Sequence, residues 1–101
     1  MKVILDFSVI PLGVGLSLSK YIAACERVLG DTGLKYQLHA NGTNVEGEWD
    51  MVFGAVKRCH EVLHEMGVKR ISTVIKVGTR TDKVQTMEDK VASVQSLLED
   101  G

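Results

Sequence analysis

The chain has 101 residues and a net charge of -1, with basic and acidic side chains nearly cancelling. That length supports a single domain (1–101) with a core of its own, and the balance lacks the basic excess that would draw it to phosphates or anionic lipid. No apolar run approaches the roughly 20 residues of a membrane span, and the N-terminus lacks the charged, apolar and small-residue succession of a signal peptide. Neither nucleic acid nor membrane is therefore expected as a partner, and the expected location is the cytoplasm. Cys25 and Cys59 both fall within helical patterns, where free thiols serve as small apolar core groups and a reducing compartment keeps them unpaired.

In chain order, KVILDFSVI (2–10) alternates as a strand, with Val3, Leu5, Phe7 and Val9 on one face and Ile4, Asp6, Ser8 and Ile10 on the other. Pro11 and Gly13 are expected to end it. Ser17 is the expected N-cap of a helix whose stripe is Leu18, Tyr21, Ile22, Cys25, Val28 and Leu29, with Gly33 as its stop. Asn41-Gly42 then signals a type I′ hairpin, in a register that faces Leu38 with Val45, Tyr36 with Gly47 and Lys35 with Glu48. Gly42 is assigned to positive φ and Gly47 to clearance against the Tyr36 ring.

From Trp49 to Met66 the pattern is helical again, with Val52, Phe53, Val56, Cys59, His60 and Leu63 on or near one stripe and Gly67 at the exit. KRISTVIKV (69–77) returns to strand character. A last helix is expected within 84–100, on a stripe of Met87, Val91, Val94 and Leu98, with Thr86 and Asp89 resembling a capping box.

The order β-α-β-β-α-β with one more helix implies an α+β protein, the ferredoxin-like sandwich, in which two helices cover one face of a four-stranded antiparallel sheet. The other face would present Ile4, Ile10 and Val74 beside Asp6, Ser8, Ser72 and Lys76. That mixture is too apolar to face water comfortably, so self-association is expected, by sheets stacking back to back or by the last helix reaching across to a partner.

HEVLH (60–64) has the H-E-x-x-H order of zinc hydrolases, in which two imidazoles one turn apart hold the metal and a carboxylate activates its water. Yet His60 lies four residues after Val56 and three before Leu63, on the stripe that packs against the sheet. His39, the remaining histidine, falls on the opposite face of the sheet in the hairpin reading, so no third imidazole completes a site. The motif is read as packing, with no metal and no catalytic residue assigned.

NGTNVEGEWD (41–50), RISTVIKVGTRTDK (70–83) and the early VIPLG (9–13) together resemble the thiamine-binding protein family, small ferredoxin-like proteins, over essentially the full chain. The resemblance implies binding of thiamine or its hydroxymethylpyrimidine moiety by an oligomer of associating sheets, a homodimer or homotetramer, with no enzymatic turnover and no cofactor. A site for thiamine's cation and flat aminopyrimidine needs a carboxylate, an aromatic or apolar wall and a few donors and acceptors. Around the hairpin the candidates are Thr43, Asn44, Glu46, Trp49 and Tyr36, with Ser8 on the uncovered side of the sheet. The alternative is a structural or regulatory oligomer that uses its open sheet face for protein association and has no functional small-molecule site.

Overall fold

A computed structural model describes residues 1–100. The alternation of the first segment becomes β1 (Lys2–Leu12), which buries Val3, Leu5, Phe7 and Val9 under two helices. The remaining elements are α1 (Ser19–Thr32), β2 (Lys35–His39), β3 (Gly42–Glu48), α2 (Trp49–Glu65), β4 (Arg70–Thr79) and α3 (Met87–Asp100). The sheet has the order β2-β3-β1-β4 with every neighbouring pair antiparallel, which is the ferredoxin-like arrangement. Its core closes where the helix stripes meet the buried face: Tyr21, Ala24, Cys25 and Leu29 from α1, and Val52, Ala55, Val56, Cys59 and Leu63 from α2. Leu5, Leu29, Val45, Val52, Cys59 and Leu63 are wholly removed from water, and at roughly 1.5–3 kcal/mol for each fully buried large aliphatic side chain this cluster is the main source of stability.

The local geometry departs from the sequence expectations at several points. Pro11 does not end β1: it pairs with Ile71, and Leu12 with Arg70. Pairing with β3 stops at Phe7, so from Ser8 onward β1 has a neighbour on one side only, and a proline fits such an edge. Ser17 does not cap α1, which starts at Ser19 without a side-chain cap; Gly33, at φ 76°, does supply the left-handed stop.

The hairpin loop is Ala40-Asn41, one residue earlier than the Asn-Gly signal suggests. His39 pairs with Gly42, Leu38 with Thr43, Tyr36 with Val45 and Lys35 with Glu46. No non-glycine residue among those described has positive φ, and neither does Gly42, so the turn is not type I′. Gly42 is required for a different reason: a Cβ there would lie 2.8 Å from the Phe7 carbonyl oxygen. At Gly47 it is Leu34 Cδ2, 2.7 Å from a virtual Cβ, that occupies the space assigned to Tyr36.

The capping box forms as expected. Thr86 N–H donates to Asp89 Oδ2 (3.0 Å) and Asp89 N–H to Thr86 Oγ1 (3.1 Å), which sets the helix start at Met87 and leaves 84–86 outside it. The first turn of α3 lands on the sheet face opposite α1 and α2. There Met87 N–H donates to Glu46 Oε1 at 2.8 Å, and Lys35 pairs with Glu88. Beyond Met87 the helix is exposed, including Val91, Val94, Leu97 and Leu98. The radius of gyration, 15.2 Å, exceeds the ~13 Å typical of a compact chain of this length, as an outlying helix requires.

Candidate functional site

Unequal strand lengths open a cavity at one corner of the sheet. Pairing of β3 with β1 ends at Thr43, opposite Phe7, while β1 runs five residues further to Leu12. The free edge of β1, the start of α1 and the hairpin tip thus enclose a cleft of about 610 Å³, within the range of small-molecule sites. Its walls are mainly apolar, from Ile10, Leu16, Leu18, Ile22 and Leu38. Leu16 is carried on a loop whose Gly13 (φ 77°) and Gly15 (φ 93°) adopt conformations that glycine takes without strain.

Into this apolar setting α1 places a carboxyl group. Glu26 follows Ile22 by four residues and precedes Leu29 by three, so its side chain leaves the helix beside the core stripe and lines the cleft. Thr43, buried on β3, donates its hydroxyl to Glu26 Oε2 at 3.1 Å. Glu26 Oε1 is shielded from water and has no hydrogen-bond partner. Burial pushes the Glu26 carboxyl above its ordinary pKa, opposed by the Thr43 hydroxyl, because desolvation disfavours the charged form. At the hairpin end of the cleft, His39 Nε2 meets Asp6 Oδ1 at 2.6 Å.

Behind the cleft Cys59 Sγ donates to the Cys25 carbonyl at 3.8 Å. Its hydrogen bond with the Cys25 thiol, together with burial, pushes the Cys59 thiol up, away from the reactive thiolate. The arrangement is suited to holding a small molecule by shape and by a few directed hydrogen bonds.

Of the residues singled out from sequence, Thr43 and Ser8 line this cleft, Ser8 reaching it at the free edge of β1. Asn44 lies on the opposite sheet face, in a groove against α3. Glu46, only 7% exposed, sits on that face too and is enclosed by Lys2 Nζ at 3.2 Å, Lys35 Nζ at 3.8 Å and the Met87 N–H. Trp49 stacks on Phe53 with ring centroids 4.6 Å apart, half-buried against the core. Tyr36 is on the edge strand with its hydroxyl beside Gly30. Glu26 was missed by sequence reading, although a glutamate in phase with Ile22 and Leu29 on an otherwise apolar stripe was a usable signal.

HEVLH is accounted for by packing. His60 is half-buried and its Nε2 meets Thr73 Oγ1 on β4 at 2.6 Å, while His64 Nδ1 meets the Val68 carbonyl at 2.7 Å. Their rings are tilted by 59° with centroids 6.4 Å apart. Burial, with a further push from His64, lowers the pKa of His60. Among the described residues no group of three His, Cys, Asp or Glu side chains is placed to hold a metal ion, and no helix is long and apolar enough to cross a membrane.

The strand order and the two covering helices define a small ferredoxin-like protein. The profile described as "Thiamine-binding protein" matches residues 5–95, and the chain belongs to that family. Relatives include a UPF0045 protein of Synechocystis sp., 56% identical over 99 residues, covering 98% of this chain and 82% of the relative. Another is the UPF0045 protein ECM15 of Eremothecium gossypii, 40% identical over 99% of this chain and 96% of its own length. Among solved structures, a hypothetical protein from Methanocaldococcus jannaschii superposes with a TM-score of 0.87 at 35% identity, covering 93% of this chain and 96% of the other. A proposed thiamine biosynthesis/salvage protein from Thermotoga maritima superposes with a TM-score of 0.79 at 26% identity, covering 93% and 99% of the two chains.

Proposed function

We propose that the protein binds thiamine or its hydroxymethylpyrimidine moiety, without chemical turnover, as a cytoplasmic homo-oligomer. The observation that carries this reading is the Glu26–Thr43 pair set in a mainly apolar cleft of about 610 Å³. A pyrimidine ring needs flat apolar walls and a small number of directed partners, and the cleft supplies both. The family's description and the Thermotoga maritima relative support the choice of ligand. Thr43 and Ser8 belong to this proposed site together with Glu26; Asn44, Glu46, Trp49 and Tyr36 lie outside the cleft in a single chain.

Self-association is supported by apolar surface in two places. Along α3, Val91, Val94, Leu97 and Leu98 face water, and on the edge strand β4 so do Val74, Ile75 and Val77. An unpaired strand edge and an uncovered apolar stripe are ordinary oligomer contacts.

Calorimetric titration with thiamine and with hydroxymethylpyrimidine tests the binding, and saturable heat with one or both is expected. Light scattering tests the assembly, where a monodisperse monomer contradicts it. The exposed α3 stripe also favours the second reading, a structural or regulatory oligomer without a small-molecule site. Flat traces with both ligands from a well-assembled protein would select it.

A further inference from the structure

Resting on the pyrimidine-binding reading, we propose that the backbone of Val9, at the free edge of β1, reads the ligand. Its N–H and C=O take a flat heterocycle that carries an acceptor beside a donor along one edge, as an aminopyrimidine does. Three contacts fix the direction in which the β1 backbone points. The Phe7 carbonyl oxygen lies 2.8 Å from a virtual Cβ on Gly42, and so points toward β3. The Ile4 carbonyl oxygen lies 4.0 Å from a virtual Cβ on Gly78, and so points toward β4. The Met1 C=O accepts the Trp49 N–H at 2.8 Å, where β3 passes into α2. Successive residues of an antiparallel strand turn their N–H and C=O to alternate sides, and β1 pairs with β4 without interruption from Val3 to Leu12. The odd-numbered residues of β1 therefore address the β3 side and the even-numbered ones address β4. Pro11, which has no N–H, falls in the odd set, where no bond to β4 is lost.

Pairing with β3 ends at Phe7. The next odd residue, Val9, turns its N–H and C=O to a side where no strand meets them, and neither has a backbone partner there among the described residues. That side is the cleft. Phe7 and Val9 send their side chains toward the helices and Ser8 and Ile10 toward the other face, yet all four line the cavity. A space along the strand's edge touches all four; a space over one face does not. An unpaired N–H and C=O in a mainly apolar wall are a demand that folded chains meet almost everywhere.

What meets it here is small. Pro11 removes the next N–H along this edge, so a strand added from another chain would find only the lane opposite Val9–Leu12 and a single donor within it. A ring fits the same lane. One residue's N–H and C=O set a donor beside an acceptor, and a ring nitrogen next to an amino group is the complement. The ring nitrogen accepts from the Val9 N–H while the amino group donates to the Val9 C=O. The Pro11 C=O, roughly 7 Å further along the strand, accepts one more donor. A ring stripped of its amino group leaves the Val9 C=O unmatched, and its binding is weakened accordingly.

The test is calorimetric titration with hydroxymethylpyrimidine and with its analogue lacking the amino group, joined to amide hydrogen exchange read by NMR. The parent is expected to prefer the amino ligand by about tenfold, and saturating hydroxymethylpyrimidine is expected to slow exchange of the Val9 amide. The backbone itself is then altered, by ligating a synthetic N-terminal segment to the rest of the chain at Cys25. An ester in place of the Val9 amide removes the N–H and keeps the side chain, and about a tenfold loss of affinity for hydroxymethylpyrimidine is expected. The control is an ester at Ile10, whose N–H addresses β4: it is expected to lower the Tm while leaving affinity within about twofold. Circular dichroism melts of both esters separate loss of recognition from loss of fold. If hydroxymethylpyrimidine binds the parent and the Val9 ester equally well, the inference is overturned while the binding reading stands. Equal affinity of the parent for the two ligands overturns it in the same way. Protection of the Val9 amide that rises with protein concentration, without ligand, would put a second copy on this edge and also overturns it. Absence of saturable heat with hydroxymethylpyrimidine removes the binding reading itself, and the inference with it.

Discussion

Two glutamates, Glu46 buried and Glu26 part-buried, lie on opposite faces of one sheet and are treated in opposite ways. Glu46 is surrounded: Lys2 and Lys35 approach its carboxylate and the Met87 N–H donates to it. Glu26 has a single hydroxyl, and its second oxygen has no partner. The first is a closed arrangement that clamps the first turn of α3 to the sheet. The second is incomplete: the residue lines the cleft, but its unpartnered oxygen is shielded from water. Burial alone therefore does not tell a satisfied carboxyl from an unsatisfied one; the state of its partners does.

The contrast can be broken first at Glu46. Glu46→Ala leaves the Met87 N–H and two lysines without their acceptor, and the expected cost is about 2–3 kcal/mol in urea denaturation, discounted from a fully buried pair because both lysines are half-exposed. Hydrogen exchange in α3 is expected to speed up in the same variant. Gly42→Ala comes next, since its Cβ would meet the Phe7 carbonyl at 2.8 Å. The backbone must shift at the corner where the cleft forms, at an expected cost of about 1–3 kcal/mol, together with weaker ligand binding by calorimetry.

Thr43→Val acts on the other glutamate, removing the one hydroxyl that Glu26 has. A loss of about 1 kcal/mol is expected in the same denaturation experiment. The smallest effect is the pH dependence. Burial raises the Glu26 pKa, so the folded chain holds that proton more tightly than the unfolded chain does. Its contribution to stability is fully present below the unfolded value and is lost as pH rises through the folded value. His60, lowered chiefly by burial, has the opposite sign: stability is lost as pH falls from the ordinary histidine value through the folded one. Denaturation midpoints followed from acid to neutral pH in Glu26→Gln and His60→Gln are expected to lose these two slopes separately.

Periodicity made the sheet and helices legible because apolar spacing is dictated by burial, and burial here follows one face of each element. Val3, Leu5, Phe7 and Val9, and the α2 stripe through Cys59 and Leu63, needed no tertiary knowledge. The capping box at Thr86 and Asp89 was readable for the same local reason. The hairpin register was not, because the Asn41-Gly42 signal describes a turn's own preference, whereas the packing of Gly42 against Phe7 fixes the actual loop. Pro11 misled similarly: its effect depends on whether β1 has a neighbour at that point, a fact set by where β3 begins. Of the site, Thr43 and Ser8 were visible as hairpin and strand polarity. Glu26 stood in phase with Ile22 and Leu29, but its pairing with Thr43 required knowing that α1 and β3 meet there.

The cleft owes its existence to an early reversal of the chain at Ala40-Asn41. Were that hairpin longer at its tip, its inner strand would zip along Ser8 and Val9 and the corner would fill with ordinary ladder hydrogen bonds. Insertion or deletion in one surface turn would thus close or open the cleft without touching a core side chain. One fold can therefore carry such a cavity or lack it, with the difference written entirely in a turn.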